Sequence, residues 1–102
     1  MPEARFRYLL SNDAEIVVEL ITEHGEVVGY SVVLLAREEG EWRTVRVYDN
    51  HLGVPHMHRY THAGVKQDGE KTDEATASAG YNLALQQVRT GFQEMIEGWR
   101  RS

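Results

Sequence analysis

Four of the chain's five histidines, His51, His56, His58 and His62, fall within twelve consecutive positions, and there is no cysteine anywhere. Imidazole is the side chain whose unperturbed charge changes near neutrality, so residues 48–62 are where chemistry is expected. If the segment after Pro55 is extended, His56 and His58 project from one face about 7 Å apart, twice the rise per residue of a strand. Two kinds of site suit that spacing. In the first, the rings form an acid–base pair: one takes the proton of a ribose 2′-hydroxyl, the other protonates the leaving oxygen, and no metal is needed. Asp49 would then orient an imidazole, Arg46 or Arg59 would hold the phosphate, and Tyr48 or Tyr60 would donate to it or stack on a base. Arg46 is preferred, because it shares a strand face with Tyr48 while Arg59 falls on the side opposite His58. In the second, His56 and His58 are two ligands of a zinc ion that His51, His62 or Asp49 completes. No spacing of the His-Glu-x-x-His type selects between them. Scattered histidines more often make structural hydrogen bonds, and His24, beside Gly25, reads as a turn residue.

The charge pattern isolates the same region. The net charge is −5, which disfavours indiscriminate binding to nucleic acid, since that affinity comes from neutralised phosphates. Between positions 14 and 41 the acids Glu15, Glu19, Glu23, Glu26, Glu38, Glu39 and Glu41 are opposed by Arg37 alone. Over residues 42–66 the sign reverses, with Arg43, Arg46, Arg59 and Lys66 against Asp49. The lack of cysteine excludes disulfides, thiolate zinc sites and thiol nucleophiles, and fits a reducing compartment. The N-terminus has no signal-peptide apolar core and no apolar run approaches the roughly 20 residues of a membrane span, so the expected location is cytoplasmic, without a membrane partner.

The elements that must position these residues read as one α+β domain over residues 1–102, with 41% apolar and 26% charged residues. Residues 5–10 alternate Arg5, Arg7 and Leu9 with Phe6, Tyr8 and Leu10, the period of a half-exposed strand. Ser11-Asn12-Asp13 supplies a turn, and residues 15–21, rich in β-branched side chains, supply a second strand ending at His24-Gly25. Residues 27–36 are apolar on both parities and belong at the centre of a sheet. Glu39-Gly40 turns the chain into a strand over 42–48, expected to face the core with Val45 and Val47 and to carry Trp42, Thr44, Arg46 and Tyr48 on its other side. After a Gly- and Pro-punctuated loop, residues 56–62 form the last strand, with His56, His58, Tyr60 and His62 on one side, and residues 64–80 read as loop or an early helical turn. Tyr81, Leu85, Val88, Phe92, Met95, Ile96 and Trp99 recur at helical spacing, with Asn82 or Ser78 as cap. The expected architecture is an antiparallel meander of four to five strands with one C-terminal amphipathic helix packed on one face. A second copy would cover the other face, making a homodimer.

The string Tyr48-Asp49-Asn50, then Gly53, then His56-x-His58, followed by an amphipathic helix with Phe92, resembles the TumE-like toxins of bacterial toxin–antitoxin pairs and related small proteins, over residues 43–99. The resemblance implies strands first and a helix last, attack on RNA, and a cognate antitoxin as partner. It marks Asp49, His56 and His58 as functional positions. The resulting expectation is a metal-independent ribonuclease using histidine acid–base catalysis. The alternative is a non-catalytic module that binds zinc or a protein through the same histidines.

Overall fold

The computed structural model describes residues 3–50, 53–72 and 76–102. Four long strands run β1 (Glu3–Ser11), β2 (Ala14–Glu23), β3 (Glu26–Glu38) and β4 (Glu41–Asp49), and two short ones follow, β5 (His56–Arg59) and β6 (Glu70–Lys71), before the helix α1 (Ala77–Arg100). The strands pair in chain order, each antiparallel to the next. Two of the tight turns are built alike. His24 (φ 50°) and Gly25 (φ 81°), and Glu39 (φ 52°) and Gly40 (φ 80°), all take positive φ, as the two-residue turns matching strand twist require.

Alternation then sorts the side chains. Even positions in the middle of β2 and β3, among them Ile16, Val18, Val32 and Leu34, are fully buried and lie in one cluster with Ala84, Val88, Ile96 and Trp99 of α1. The helix covers this side alone, resting mainly on β3 and β4. It starts earlier than its apolar stripe suggests: the cap is Thr76, whose hydroxyl accepts from the Ala79 N–H at 3.0 Å, rather than Ser78 or Asn82. Its first turn lies against the sheet at Gly80, which is buried. The Tyr81 phenol nearby has its pKa raised above the usual value, chiefly by burial and also by Tyr8, with Arg89 opposing.

Strand β4 departs from simple alternation. Leu34 pairs with Arg46 but Leu35 pairs with Thr44, so Val45 is an extra residue in a β-bulge. The bulge sets Val45 and Arg46 both on the helix side, sends Val47 to the open side, and brings Tyr48 back under the helix. The expectation that Val45 and Val47 share the core face is therefore corrected: Val45 and Tyr48 are the buried pair, each about 3% exposed. The last strand is also shorter than expected. It ends at Arg59, Tyr60 makes an isolated bridge to Lys66, and the chain returns alongside β5 as β6.

Two helix glycines give opposite expectations. A Cβ on Gly80 would meet the Tyr30 ring, with Cζ at 3.1 Å, whereas one on Gly98 would meet nothing within 4 Å. Gly98→Ala should therefore stabilise by about 0.4–1 kcal/mol through helix propensity. Gly80→Ala should cost about 1–3 kcal/mol despite the same propensity, because the pocket is overpacked. Paired urea titrations read the two signs directly.

Candidate functional site

The register between β4 and β5 builds the site. Asp49 lies opposite His56 and Val47 opposite His58, so both rings and the carboxylate stand on the open face of the sheet. The His56 Nε2 is 3.0 Å from an Asp49 carboxylate oxygen, and its Nδ1 is 2.8 Å from the Val54 carbonyl. Both neighbours are acceptors, so the neutral ring donates to one of them and only the imidazolium donates to both. His58 differs. Its Nδ1 is 2.9 Å from the Gln67 carbonyl; in the neutral ring that contact selects the tautomer with its proton on Nδ1 and its lone pair on Nε2. No hydrogen bond to this Nε2 occurs among the described residues. The rings meet edge to face, centroids 4.9 Å apart.

Gly69 lies over the pair. A Cβ there would come within 2.8 Å of His58 Cε1, 3.0 Å of its Nε2 and 3.4 Å of His56 Cδ2, so the returning segment approaches the rings as closely as it does because it has no side chain at this point. Below it, Lys71 is the register partner of His56. Across the whole sheet the register aligns Arg5, Glu19, Ser31, Asp49, His56 and Lys71 in one polar row on the open face. Near Asp49 the face is hollowed into a cleft of about 820 Å³, lined among others by Arg5, Glu19, Ile21, Gly29, Ser31 and Asp49.

The structure thus brings together three of the residues singled out in the sequence, Asp49, His56 and His58, and separates the others from them. Arg46 and Tyr48 lie on the opposite face, under α1: the Tyr48 hydroxyl donates to Gln87 Oε1 at 2.8 Å and accepts a long contact of 3.4 Å from Arg46 Nη1. Arg59 is on that side too, ion-paired to Glu70 at 2.7 Å. Tyr60 lines a separate surface dip with Arg43, Thr44, Thr61 and Gly64. His62 is at the far end of the helix, its Nε2 2.5 Å from Glu38 Oε1 and its ring 4.6 Å from that of Trp99. It is a structural histidine there, because the chain turns out of the sheet after Arg59 and parity no longer holds. His51 lies outside the described residues. Among the described residues no group of three or more His, Asp or Glu side chains could hold a metal ion. A zinc ion on His56 and His58 would have to displace the Asp49 contact and accept one ring with both nitrogens already engaged.

The residues missed in the sequence are Gln67, Gly69 and Lys71, which fasten, cover and flank the rings. A glycine inside a polar stretch that follows a strand signals close backbone approach, and Gly69 was readable in that sense.

The fold and site together define a small α+β protein whose six-stranded antiparallel meander carries one helix on one face and a carboxylate–imidazole cluster on the other. The chain belongs to the family described as a domain of unknown function, DUF7718, which matches residues 1–102. No curated protein and no solved structure is detectably similar to it. No helix among the described residues is long and apolar enough to cross a membrane.

Proposed function

We propose that this chain is a toxin-like ribonuclease, metal-independent and working by histidine acid–base catalysis in the cytoplasm. A cognate antitoxin would be its partner. The observation that carries the reading is the pairing of an imidazole held against a carboxylate, His56 on Asp49, with a second imidazole, His58, held through Nδ1, whose Nε2 has no hydrogen-bond partner among the described residues. In this scheme His58 Nε2 takes the proton of the ribose 2′-hydroxyl as the 2′-oxygen bonds to phosphorus. The bond from phosphorus to the 5′-oxygen breaks, and the His56–Asp49 couple returns a proton to that oxygen, leaving a 2′,3′-cyclic phosphate. Lys71, next to His56 in the register, supplies the positive charge in place of Arg46 and Arg59, which lie on the other face of the sheet. The resemblance of Tyr48-Asp49-Asn50, Gly53 and His56-x-His58 to the TumE-like toxins supports the same reading. The open face beside the site, with the half-buried Val33 and Val47 in register next to His58, is the surface an antitoxin or a second copy in a homodimer would cover.

One observation favours a second reading, a non-catalytic protein-binding module: both nitrogens of His56 are spent on holding Val54 and Asp49, as in a ring used purely as a fastener. Untagged protein incubated with a structured RNA, with and without chelator, separates the readings. The ribonuclease reading expects 2′,3′-cyclic phosphate ends that form equally in both. Cleavage that disappears with chelator, or no cleavage of any RNA by the folded protein, would sink it.

A further inference from the structure

The face beneath the helix holds a cation without a counterion. Arg46 Nε is buried and has no hydrogen-bond partner. Its guanidinium makes one long contact, from Nη1 to a Tyr48 hydroxyl whose own proton goes to Gln87. Among the described residues no carboxylate pairs with it. Its neighbour across the strands is a second arginine, Arg59. Like charges directly opposite one another on a sheet repel, and Glu70 neutralises Arg59 alone. Among the described residues one positive charge is left over on the helix side of β4 and β5, and a partly buried charge without a partner is costly.

The donors beside it describe what would satisfy it. Arg46 offers the guanidinium edge beyond its buried Nε, Arg59 offers the N–H groups that Glu70 leaves, and Gln87, its oxygen held by Tyr48, has an amide NH2 to give. Three donor groups on three elements exceed what the two oxygens of a carboxylate can accept in one plane, but match a tetrahedral oxyanion. We infer that this cluster, on the side of the sheet opposite the histidines, is a binding site for a phosphate group, supplied as inorganic phosphate or as a phosphomonoester. The inference does not depend on the ribonuclease reading.

Thermal unfolding tests it, in inorganic phosphate, in a nucleoside 5′-monophosphate, and in chloride at matched ionic strength. Ligand that binds the folded state raises its stability, so the wild type should gain roughly 4 °C or more in Tm near saturation. A rise with both ligands assigns recognition to the phosphate group; a rise with the monophosphate alone assigns it to the ester. In Arg46→Met the rise should vanish while Tm in chloride stays at or above the wild-type value. Gln87→Glu, at an exposed position where a carboxylate oxygen still accepts from the Tyr48 hydroxyl, should raise Tm in chloride and abolish the response by supplying a carboxylate of its own. A wild type indifferent to both ligands, or a response that survives in Gln87→Glu, would overturn the assignment.

Discussion

Trp99→Ala is expected to lower the unfolding free energy by about 3–5 kcal/mol, the usual cost of removing a buried aromatic ring from a core. The ring is about 4% exposed and closes the C-terminal end of the helix over the sheet. Its indole N–H donates to the Thr61 carbonyl at 3.2 Å, the His62 ring lies against it, and the Arg43 guanidinium stands 5.4 Å from its centroid. Glu38 gathers three surrounding side chains, His62, Arg43 at 3.7 Å and Arg100 at 3.6 Å. Arg43 also donates to the His62 carbonyl, and Ser102 receives the His62 N–H at 2.9 Å. Removing the indole therefore empties a cavity and also unfastens the corner at residues 60–64 from the helix. Small domains have about 5–15 kcal/mol in total, so the variant should be near its limit. Trp99→Phe keeps most of the packing and loses one hydrogen bond, for a cost nearer 1–2 kcal/mol. Urea unfolding gives both values, and a loss below about 1 kcal/mol in the alanine variant would mean that the helix end is not anchored as described.

The second large effect concerns chemistry. His58→Ala should reduce RNA cleavage by about 10²- to 10⁴-fold, the usual contribution of a positioned acid or base. Its stability cost should be no more than about 0.5–1.5 kcal/mol, one hydrogen bond to Gln67. The substitution removes the ring whose lone pair the mechanism requires and leaves Asp49 and His56 joined. Gly69→Ala is the companion test, since it touches neither ring chemically. Its methyl group would occupy space within 3.0 Å of His58 Nε2, so either the returning segment lifts or the ring turns off the Gln67 carbonyl. Activity should fall in both cases, with circular dichroism unchanged. Full activity in His58→Ala would remove this residue from the mechanism, whatever happens at His56.

Much of this was legible in the sequence because alternation and helical spacing are local. The turns at His24-Gly25 and Glu39-Gly40, the central position of β3 and the stripe from Tyr81 to Trp99 all follow from patterns a few residues long. So does the shared face of His56 and His58, and their closeness to Asp49. The failures come from features without a local signature. Thr44-Val45-Arg46-Val47 alternates without interruption, so nothing announces a bulge, yet the bulge decides that Tyr48 and Arg46 lie with Val45 beneath the helix. The residues 56–62 also alternate, but the strand stops where Tyr60 hands its pairing to Lys66, and His62 goes to the other side. The first helical turn has no apolar stripe because Gly80 packs by its lack of a side chain.

The bulge in β4 has one more consequence. Strand interiors cannot ordinarily lose a residue, because a slip of one exchanges the two faces of everything beyond it. This strand carries one residue more than its pairing with β3 uses. Deleting Val45 would join Thr44 on the open side directly to Arg46 on the helix side, restoring unbroken alternation, with Asp49 still beside His56. The loss would be one buried valine and the carbonyl that accepts the Tyr60 N–H, so position 45 is where the middle of this sheet can best tolerate a change of length.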